Sequence, residues 1–380
     1  MIFDEFASYL SKICLHSLLA GKRPLLWTII ASPKAGGFTV KSKWKNHLKT
    51  LKECEQRAKN NPFREGSRPS KTALSFGDAN SRLGLIITRA PGHAGELAAA
   101  LIKEAVQTLE NVPQAVNERP FFLVITAGGD GTSLEALSAL YRAPCEIRHD
   151  FAVLRLPMGT GNDGADAWEL DTALDLLIKP SIICFQRALC LSTSSGKGPF
   201  LAFNILSAGL DAFVTNMTNK TKKKLPGDSY KLWVDLAALF YDLIYKVGYM
   251  DIRALNEEGK EVKVFREKVL LLAVGESGRR CYGSRKWILP DKRNVCAIKQ
   301  MSVFRKIALK KLMSTGGHIN HPEALLWNAS RIEFTSQYPI LAQMDGEAVL
   351  LEKKDFPAVI ELTEPVIPIL KKSPVPLQNR

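Results

Sequence analysis

No Gly-x-x-x-x-Gly-Lys-Ser/Thr loop occurs in the chain, and no His-Arg-Asp or Asp-Phe-Gly tripeptide. The two commonest phosphate-handling designs, the P-loop and the protein-kinase site, are therefore excluded. No apolar stretch approaches the ~18 residues that would read as a bilayer span. The stretch from Tyr230 to Met250 comes closest, but Lys231, Asp235, Asp242 and Lys246 make it an expected amphipathic helix of a soluble domain. The seven cysteines include no Cys-x-x-Cys spacing, which disfavours a disulfide framework and suits reduced thiols in the cytosol. Asp4 and Glu5 stand where a signal peptide would be basic, so the start does not read as one. His318 and His321 form a lone His-x-x-His with no third ligand in view, and a surface loop is expected there rather than zinc. There is no internal repeat.

What the chain does have is two glycine-bearing turns, each closing an apolar run. Phe121 to Ala127 ends in Gly128-Gly129-Asp130-Gly131-Thr132, and Phe151 to Leu156 ends in Pro157-Met158-Gly159-Thr160-Gly161-Asn162-Asp163. A β-branched and aromatic run that stops in glycines and restarts as a helix belongs at the carboxyl edge of a parallel sheet, where α/β folds bind ligands. Without Cβ atoms, Gly128, Gly129 and Gly131 let backbone N–H groups approach phosphate oxygens.

A helix is expected after the first turn, with Thr132-x-x-Glu135 as a capping box and Leu134, Leu137, Leu140 and Tyr141 at helical spacing. Its positive N-terminal end would face the loop and favour an anion. Asp130 is the anomaly, because a carboxylate repels phosphate unless it binds a metal ion, accepts a proton or fixes a loop by hydrogen bonds.

These residues resemble the diacylglycerol kinase catalytic-domain superfamily, which includes bacterial lipid kinases and sphingosine kinases and shares its fold with NAD kinase. Ile29 to Gly37, containing Ser32-Pro33-Lys34-Ala35-Gly36, is similar to the family's opening strand and Asn-Pro-x-x-Gly nucleotide loop, with Ser32 in place of Asn. Ile87-Thr88-Arg89-Ala90-Pro91-Gly92-His93-Ala94 resembles the second strand and its turn. Phe203-Asn204-Ile205 to Gly209-Leu210-Asp211-Ala212 resembles the Asn-x-x-x-x-Gly-Phe-Asp-Ala segment, Asp345-Gly346-Glu347 the late Asp-Gly-Glu motif, and Val366 to Leu370 the closing strand. The first glycine loop also occurs in NAD kinases and phosphofructokinases. The second loop and the late Asp-Gly-Glu favour the lipid branch.

The resemblance implies an α/β N-terminal domain with a parallel sheet, followed by an antiparallel β-rich, β-sandwich-like C-terminal domain. The expected boundaries are an amphipathic N-terminal helix within 1–23, a nucleotide-binding kinase domain over 24–180, a β-rich lipid-substrate domain over 181–364 and a strand and tail over 365–380. Strand-like runs at 25–31, 83–88, 121–126 and 151–156 alternate with helices, as a parallel sheet requires. After Pro180, hairpin signals at Ser194 to Gly198 and Asn256 to Lys260 mark the change to antiparallel structure. In the first helix Phe3, Phe6, Leu10, Ile13 and Cys14 share one side, for packing against the body or for an interfacial anchor. The polar segment from Arg57 to Leu83 reads as a long surface loop.

By the same resemblance, Ser32, Pro33, Lys34, Ala35, Gly36, Thr88, Gly128, Gly129, Asp130, Gly131, Thr132, Ser133, Gly159, Thr160 and Asn162 would hold ATP. Asp130 and Asp163 would hold Mg²⁺, and Glu347, with Asp345 beside it, would accept the proton of a lipid hydroxyl. The implied activity is ATP-dependent phosphorylation of diacylglycerol or a similar lipid alcohol. A same-fold kinase of a soluble substrate and an inactive membrane-binding relative are the alternatives.

Departures from the family also stand out. Cys296-Ala297 replaces an Asp-Gly that helps bind a structural Mg²⁺, so that metal is expected to be missing. Tyr282-Gly283-Ser284-Arg285 replaces a run of glycines, and Asp166 stands where an Arg often follows the second loop.

The formal net charge is +14, and Arg279 to Lys311 holds eleven Lys or Arg against the single acid Asp291. A solvated face is the plain reading of such a run. Phe304, Ile307, Leu309 and Leu312 interleave with Arg305, Lys306, Lys310 and Lys311, as in a helix lying on anionic lipid. No nucleic-acid module accompanies the charge. The expected partners are therefore a lipid substrate at a membrane surface and anionic phospholipid, not nucleic acid, with room for a homodimer. The expected location is cytoplasmic and peripheral to the membrane.

Overall fold

A computed structural model of the chain describes residues 2–17, 19, 23–60, 83–111, 119–159, 162–221, 240–282 and 286–373. Much of the expected loop from Arg57 to Leu83, part of the segment before Met250, Gly283-Ser284-Arg285 and the last seven residues lie outside these. The chain divides into two units, residues 1–186 with 365–380, and residues 187–364.

The first unit contains α1 (Ile2–Cys14), β1 (Leu25–Ala31), α2 (Gly36–Thr39), α3 (Lys41–Lys59), β2 (Leu83–Ile87), α4 (His93–Glu110), β3 (Phe121–Gly128), α5 (Asp130–Tyr141), β4 (Phe151–Pro157), α6 (Leu170–Ile178) and β5 (Ser181–Gln186). The second contains β6 (Leu189–Thr193), β7 (Phe200–Ala202), β8 (Ile205–Gly209), α7 (Leu210–Thr221), α8 (Tyr241–Ile244), β9 (Tyr249–Leu255), β10 (Glu261–Gly275), β11 (Arg280–Tyr282), β12 (Lys286–Leu289), β13 (Val295–Lys299), α9 (Val303–Thr315), β14 (Ala324–Trp327), β15 (Arg331–Ser336), β16 (Ile340–Met344), β17 (Glu347–Leu351) and β18 (Ala358–Leu362). The chain then returns to the first unit as β19 (Ile367–Lys372).

The first unit is an α/β domain on a six-stranded sheet of order β2-β1-β3-β4-β19-β5. The pairs from β2 to β19 are parallel, and β5 closes the edge antiparallel to β19. Strand β4 is buried along its whole length, as a strand covered on both faces must be. Because β2 lies on one side of β1 and β3 on the other, the order reverses between β1 and β3, the position at whose carboxyl edge open α/β sheets bind ligands.

Helix α1 closes part of the core. Phe6, Leu10 and Ile13 are fully buried, and the Phe6 ring meets Phe38 edge-on at 5.1 Å. The face that could have anchored at a lipid interface is therefore spent on packing, worth roughly 1.5–3 kcal/mol for each large side chain buried.

The second unit is antiparallel and β-rich. The fifteen-residue β10 serves two sheets, pairing β9 through its first half and β8 and β13 through its second. The core between them draws on both, with Leu191, Ile252, Phe334 and Ile360 beside Leu206, Leu272 and Val295. The loop from Asn256 to Lys260 forms a hairpin in which Asn256 Oδ1 accepts the N–H of Glu258 and Lys260. Among the described residues no helix is long and apolar enough to cross a membrane.

Three local expectations are corrected. Thr132 and Glu135 form no capping box, because α5 begins three residues earlier, at Asp130 with Gly129 as its N-cap. The Glu135 carboxylate instead accepts the N–H of Gly92 at 2.7 Å and of Ala94 at 3.0 Å, capping α4. His318 is fully buried rather than on a surface loop. Burial pulls its imidazole below the usual histidine range, and neutral Nε2–H donates to the Ile288 carbonyl at 3.2 Å. On α9, Lys306 and Leu309 are buried, so the face imagined for lipid is divided differently.

Candidate functional site

Four loops leave the carboxyl edge of the first unit's sheet, and backbone hydrogen bonds tie them together. Ser32 N–H donates to the Ala127 carbonyl at 2.9 Å, joining the turn after β1 to β3. Thr88 N–H donates to the Ala31 carbonyl at 2.8 Å, and Gly37 N–H to the Met158 carbonyl at 2.8 Å. Three of the sequence segments singled out above thereby meet at the loop of β1. Lys34 is exposed on that turn, Ser32, Pro33 and Gly36 are half-buried, and Ala35 is buried.

The two glycine loops touch through their backbones. A Cβ on Gly159 would lie 2.5 Å from the Gly129 Cα and 2.8 Å from Asn162 Oδ1, a separation that atoms do not adopt. Only glycine fits there. Asn162, at φ +58°, folds the second loop back by accepting the Gly159 N–H at 2.7 Å and donating to the Pro157 and Gly159 carbonyls at 3.2 Å each. Thr160, between them, lies outside the described residues.

Gly128 ends β3, and Asp130, Gly131, Thr132 and Ser133 form the first turn of α5. The Thr132 and Ser133 N–H groups donate to the Gly129 carbonyl at 3.1 and 3.3 Å, while the first N–H groups of a helix find no acceptor within it. Ser133 Oγ is held 2.9 Å from Thr126 Oγ1. Asp130 Oδ1 accepts the Gly164 N–H at 2.9 Å, so the carboxylate of the first loop fastens the second. Burial pushes the Asp130 carboxyl up, against the pull of the Gly164 and Asp163 N–H groups and the Arg155 guanidinium. Asp163 is half-buried in the same turn.

Arg155 is a residue that the sequence reading passed over. It sits inside β4 and makes a two-toothed ion pair with Asp166, at 2.7 Å from Nη2 and 3.1 Å from Nε, while its own N–H donates to the other Asp166 oxygen at 2.6 Å. Both side chains are buried. Asp166, noted only as a departure, is thus the counter-ion that allows a cation in a core strand. The signal was available, since an arginine within an apolar strand needs a buried acid.

In the second unit, Asp345 and Gly346 form the two-residue turn of the β16–β17 hairpin, at φ +45° and +103°. Two consecutive positive φ values demand a residue such as Asp followed by Gly. The Asp345 side chain turns inward, where its oxygens accept the N–H groups of Phe203, Asn204 at 3.1 Å and Ile205 at 2.9 Å. The carboxylate therefore holds the 203–205 segment in place. Glu347, the first residue of β17, is exposed.

Behind the turn, Gly346 N–H donates to Gln343 Oε1 at 2.9 Å, and Gln343 Nε2 donates to Ser207 Oγ at 3.0 Å and to Asp211 at 3.3 Å. Burial pushes the Asp211 carboxyl up, opposed by the Ser207 hydroxyl and Lys286. Cys296 lies in the core of β13, and burial pushes its thiol up to about 12.

The residues fit a nucleotide with a divalent ion. The Gly129–Gly159 approach leaves backbone where side chains would otherwise fill the loop, and Asp130 with Asp163 offers the one or two carboxylates that Mg²⁺ takes when phosphates and water complete its shell. Among the described residues no group of three or more His, Cys, Asp or Glu side chains converges as a metal cage.

Residues 27–186 match the family model described as the diacylglycerol kinase catalytic domain. The chain is 26% identical over 239 residues to a diacylglycerol kinase of Staphylococcus carnosus, covering 60% of this chain and 71% of that one. It is 32% identical over 112 residues to a Yersinia pestis protein named "Probable lipid kinase YegS-like", a match spanning 28% of this chain and 35% of the relative. A crystal structure of a candidate diacylglycerol kinase from Bacillus anthracis superposes with a TM-score of 0.56 at 16% identity, over 93% of this chain and 96% of that one, which shows a shared fold.

Proposed function

We propose that the protein is an ATP-dependent lipid kinase that phosphorylates the hydroxyl of diacylglycerol or a similar lipid alcohol. The observation that carries this reading is the contact of the two glycine loops, Gly129 against Gly159, fastened by Asp130 to Gly164 beside the switch point of a parallel sheet. When bound, ATP supplies the phosphoryl group and Mg²⁺ neutralises the charge that develops on it.

The chain's own contribution is binding, orientation and proton handling. Backbone N–H groups at the start of α5 and in the loop after β1 hold the phosphates, with Lys34 adding positive charge. Asp130 and Asp163 hold the divalent ion, and the Arg155–Asp166 pair keeps the turn carrying Asp163 and Gly164 in register. The lipid oxygen forms a bond to the terminal phosphorus as the bond to the nucleotide oxygen breaks. Glu347 takes the hydroxyl proton, and Asp345 keeps the turn that carries Glu347 in shape. The reading places the enzyme in the cytoplasm at the membrane surface.

Thermal unfolding in the presence of ATP and Mg²⁺ tests the nucleotide site directly. A midpoint that rises with ATP in the intact protein and stays flat in Gly159→Ala supports it, and a midpoint that ATP does not move in either protein sinks it.

A further inference from the structure

Helix α9 presents apolar side chains on two opposite sides, and the fold uses one of them. On the inner side Leu309 is buried in a core with Ile288, Leu289 and Ile298, and Met313 packs against that core. Lys306, also buried, is paired with Asp242. At roughly 100° per residue, Phe304, Ile307, Ala308 and Lys311 fall on the other side. There Phe304 is 84% exposed, more than any other large apolar side chain among the described residues, and Ile307 is 50% exposed. Ala308 and Lys311 are exposed with them, and Arg305 and Lys310 stand on the two flanks. No acid occurs in the helix.

We infer that this outer face of α9 docks the protein on an anionic phospholipid surface. A phenyl ring and a branched aliphatic side chain held in water by a regular helix gain by entering the boundary between headgroups and acyl chains, while a rim of cations meets lipid phosphates. Charge complementarity selects this occupant. Lys310 and Lys311 lie on and beside the apolar centre, and Arg305, held by Glu323 at 3.0 Å, stands on its other flank, so a protein groove that took Phe304 and Ile307 would have to accommodate the lysine charge as well. The usefulness of such a surface rests on the lipid-kinase reading, since the substrate is then embedded in the surface that α9 touches.

The test is co-sedimentation of the full chain, without ATP, with phosphatidylcholine vesicles prepared with and without phosphatidylglycerol. The expected result is binding only to the phosphatidylglycerol vesicles, weakened by salt. The double change Phe304→Ser with Ile307→Ser, which touches no buried residue and leaves thermal unfolding unchanged, lowers binding roughly ten-fold or more. Lys310→Glu with Lys311→Glu lowers it by a similar factor. Equal binding of the intact protein to both vesicles, or no loss in either variant, overturns the inference. So does self-association abolished by the Phe304 change without vesicle binding, which would assign the face to a second copy. Phosphate transfer is measured separately: vesicle binding without transfer removes the kinase reading alone, and transfer to dispersed lipid without vesicle binding removes the docking face alone.

Discussion

Asp130 Oδ1 accepts the backbone N–H of Gly164 at 2.9 Å, so one carboxylate belongs to the first glycine loop and controls the position of the second. Its charge and its shape are separable. Asp130→Asn keeps an acceptor for Gly164 but removes the negative charge offered to a divalent ion. The expected outcome is an unfolding free energy within about 1 kcal/mol of the intact protein and phosphate transfer reduced by roughly 100-fold or more. Transfer retained by the Asn variant would make Asp130 a loop fastener only.

Gly159→Ala places a methyl group 2.5 Å from the Gly129 Cα. Backbone on both sides must move, which costs about 1–3 kcal/mol. Urea unfolding measures that cost, and it should appear together with loss of the ATP-induced rise in melting temperature.

The Arg155–Asp166 pair is buried on both sides. Asp166→Ala strands the guanidinium inside β4 and should destabilise the first unit by roughly 3–5 kcal/mol. Arg155→Met combined with Asp166→Leu removes both charges and should recover much of that loss. A double variant as unstable as Asp166→Ala would show that the hydrogen bond from the Arg155 N–H, rather than the ion pair, is what matters.

Stability should depend on Asp211 in a definite direction. Burial raises its carboxyl above the ordinary value of 3.8, so the folded protein holds this proton more tightly than the unfolded chain does. The contribution is fully favourable below the unfolded value and is lost as pH rises through the folded one. Asp211→Asn stays neutral and can keep one oxygen for Ser207 and Gln343. Comparing urea midpoints between about pH 4 and pH 8, the variant should gain on the intact protein as pH rises. A constant difference across that range would contradict the assignment.

The parts of this molecule visible in the sequence are those written by local chemistry. Apolar runs ending in glycine located β1, β3 and β4 with their loops, because both strand period and turn residues act within a few positions. Asp345 and Gly346, read above as part of a family motif, form their hairpin turn by the same local chemistry. What stayed hidden depends on partners far along the chain. Glu135 satisfies a local capping pattern, yet its carboxylate serves Gly92 and Ala94, 43 and 41 positions away. Lys306 reads as a surface cation until Asp242, 64 positions upstream, takes it into the interior. The Asp345 side chain reads as a catalytic neighbour, while the structure commits it to the N–H groups of residues 203–205.

The most direct measurement of the central claim is transfer of labelled phosphate from ATP, with Mg²⁺, into mixed micelles of diacylglycerol, ceramide, sphingosine, monoacylglycerol or phosphatidylglycerol, for the intact protein and for Glu347→Gln. Label in one lipid, lost in Glu347→Gln while the ATP-induced rise in melting temperature persists, is the predicted result. Label in none of the lipids, with ATP still bound, would contradict it.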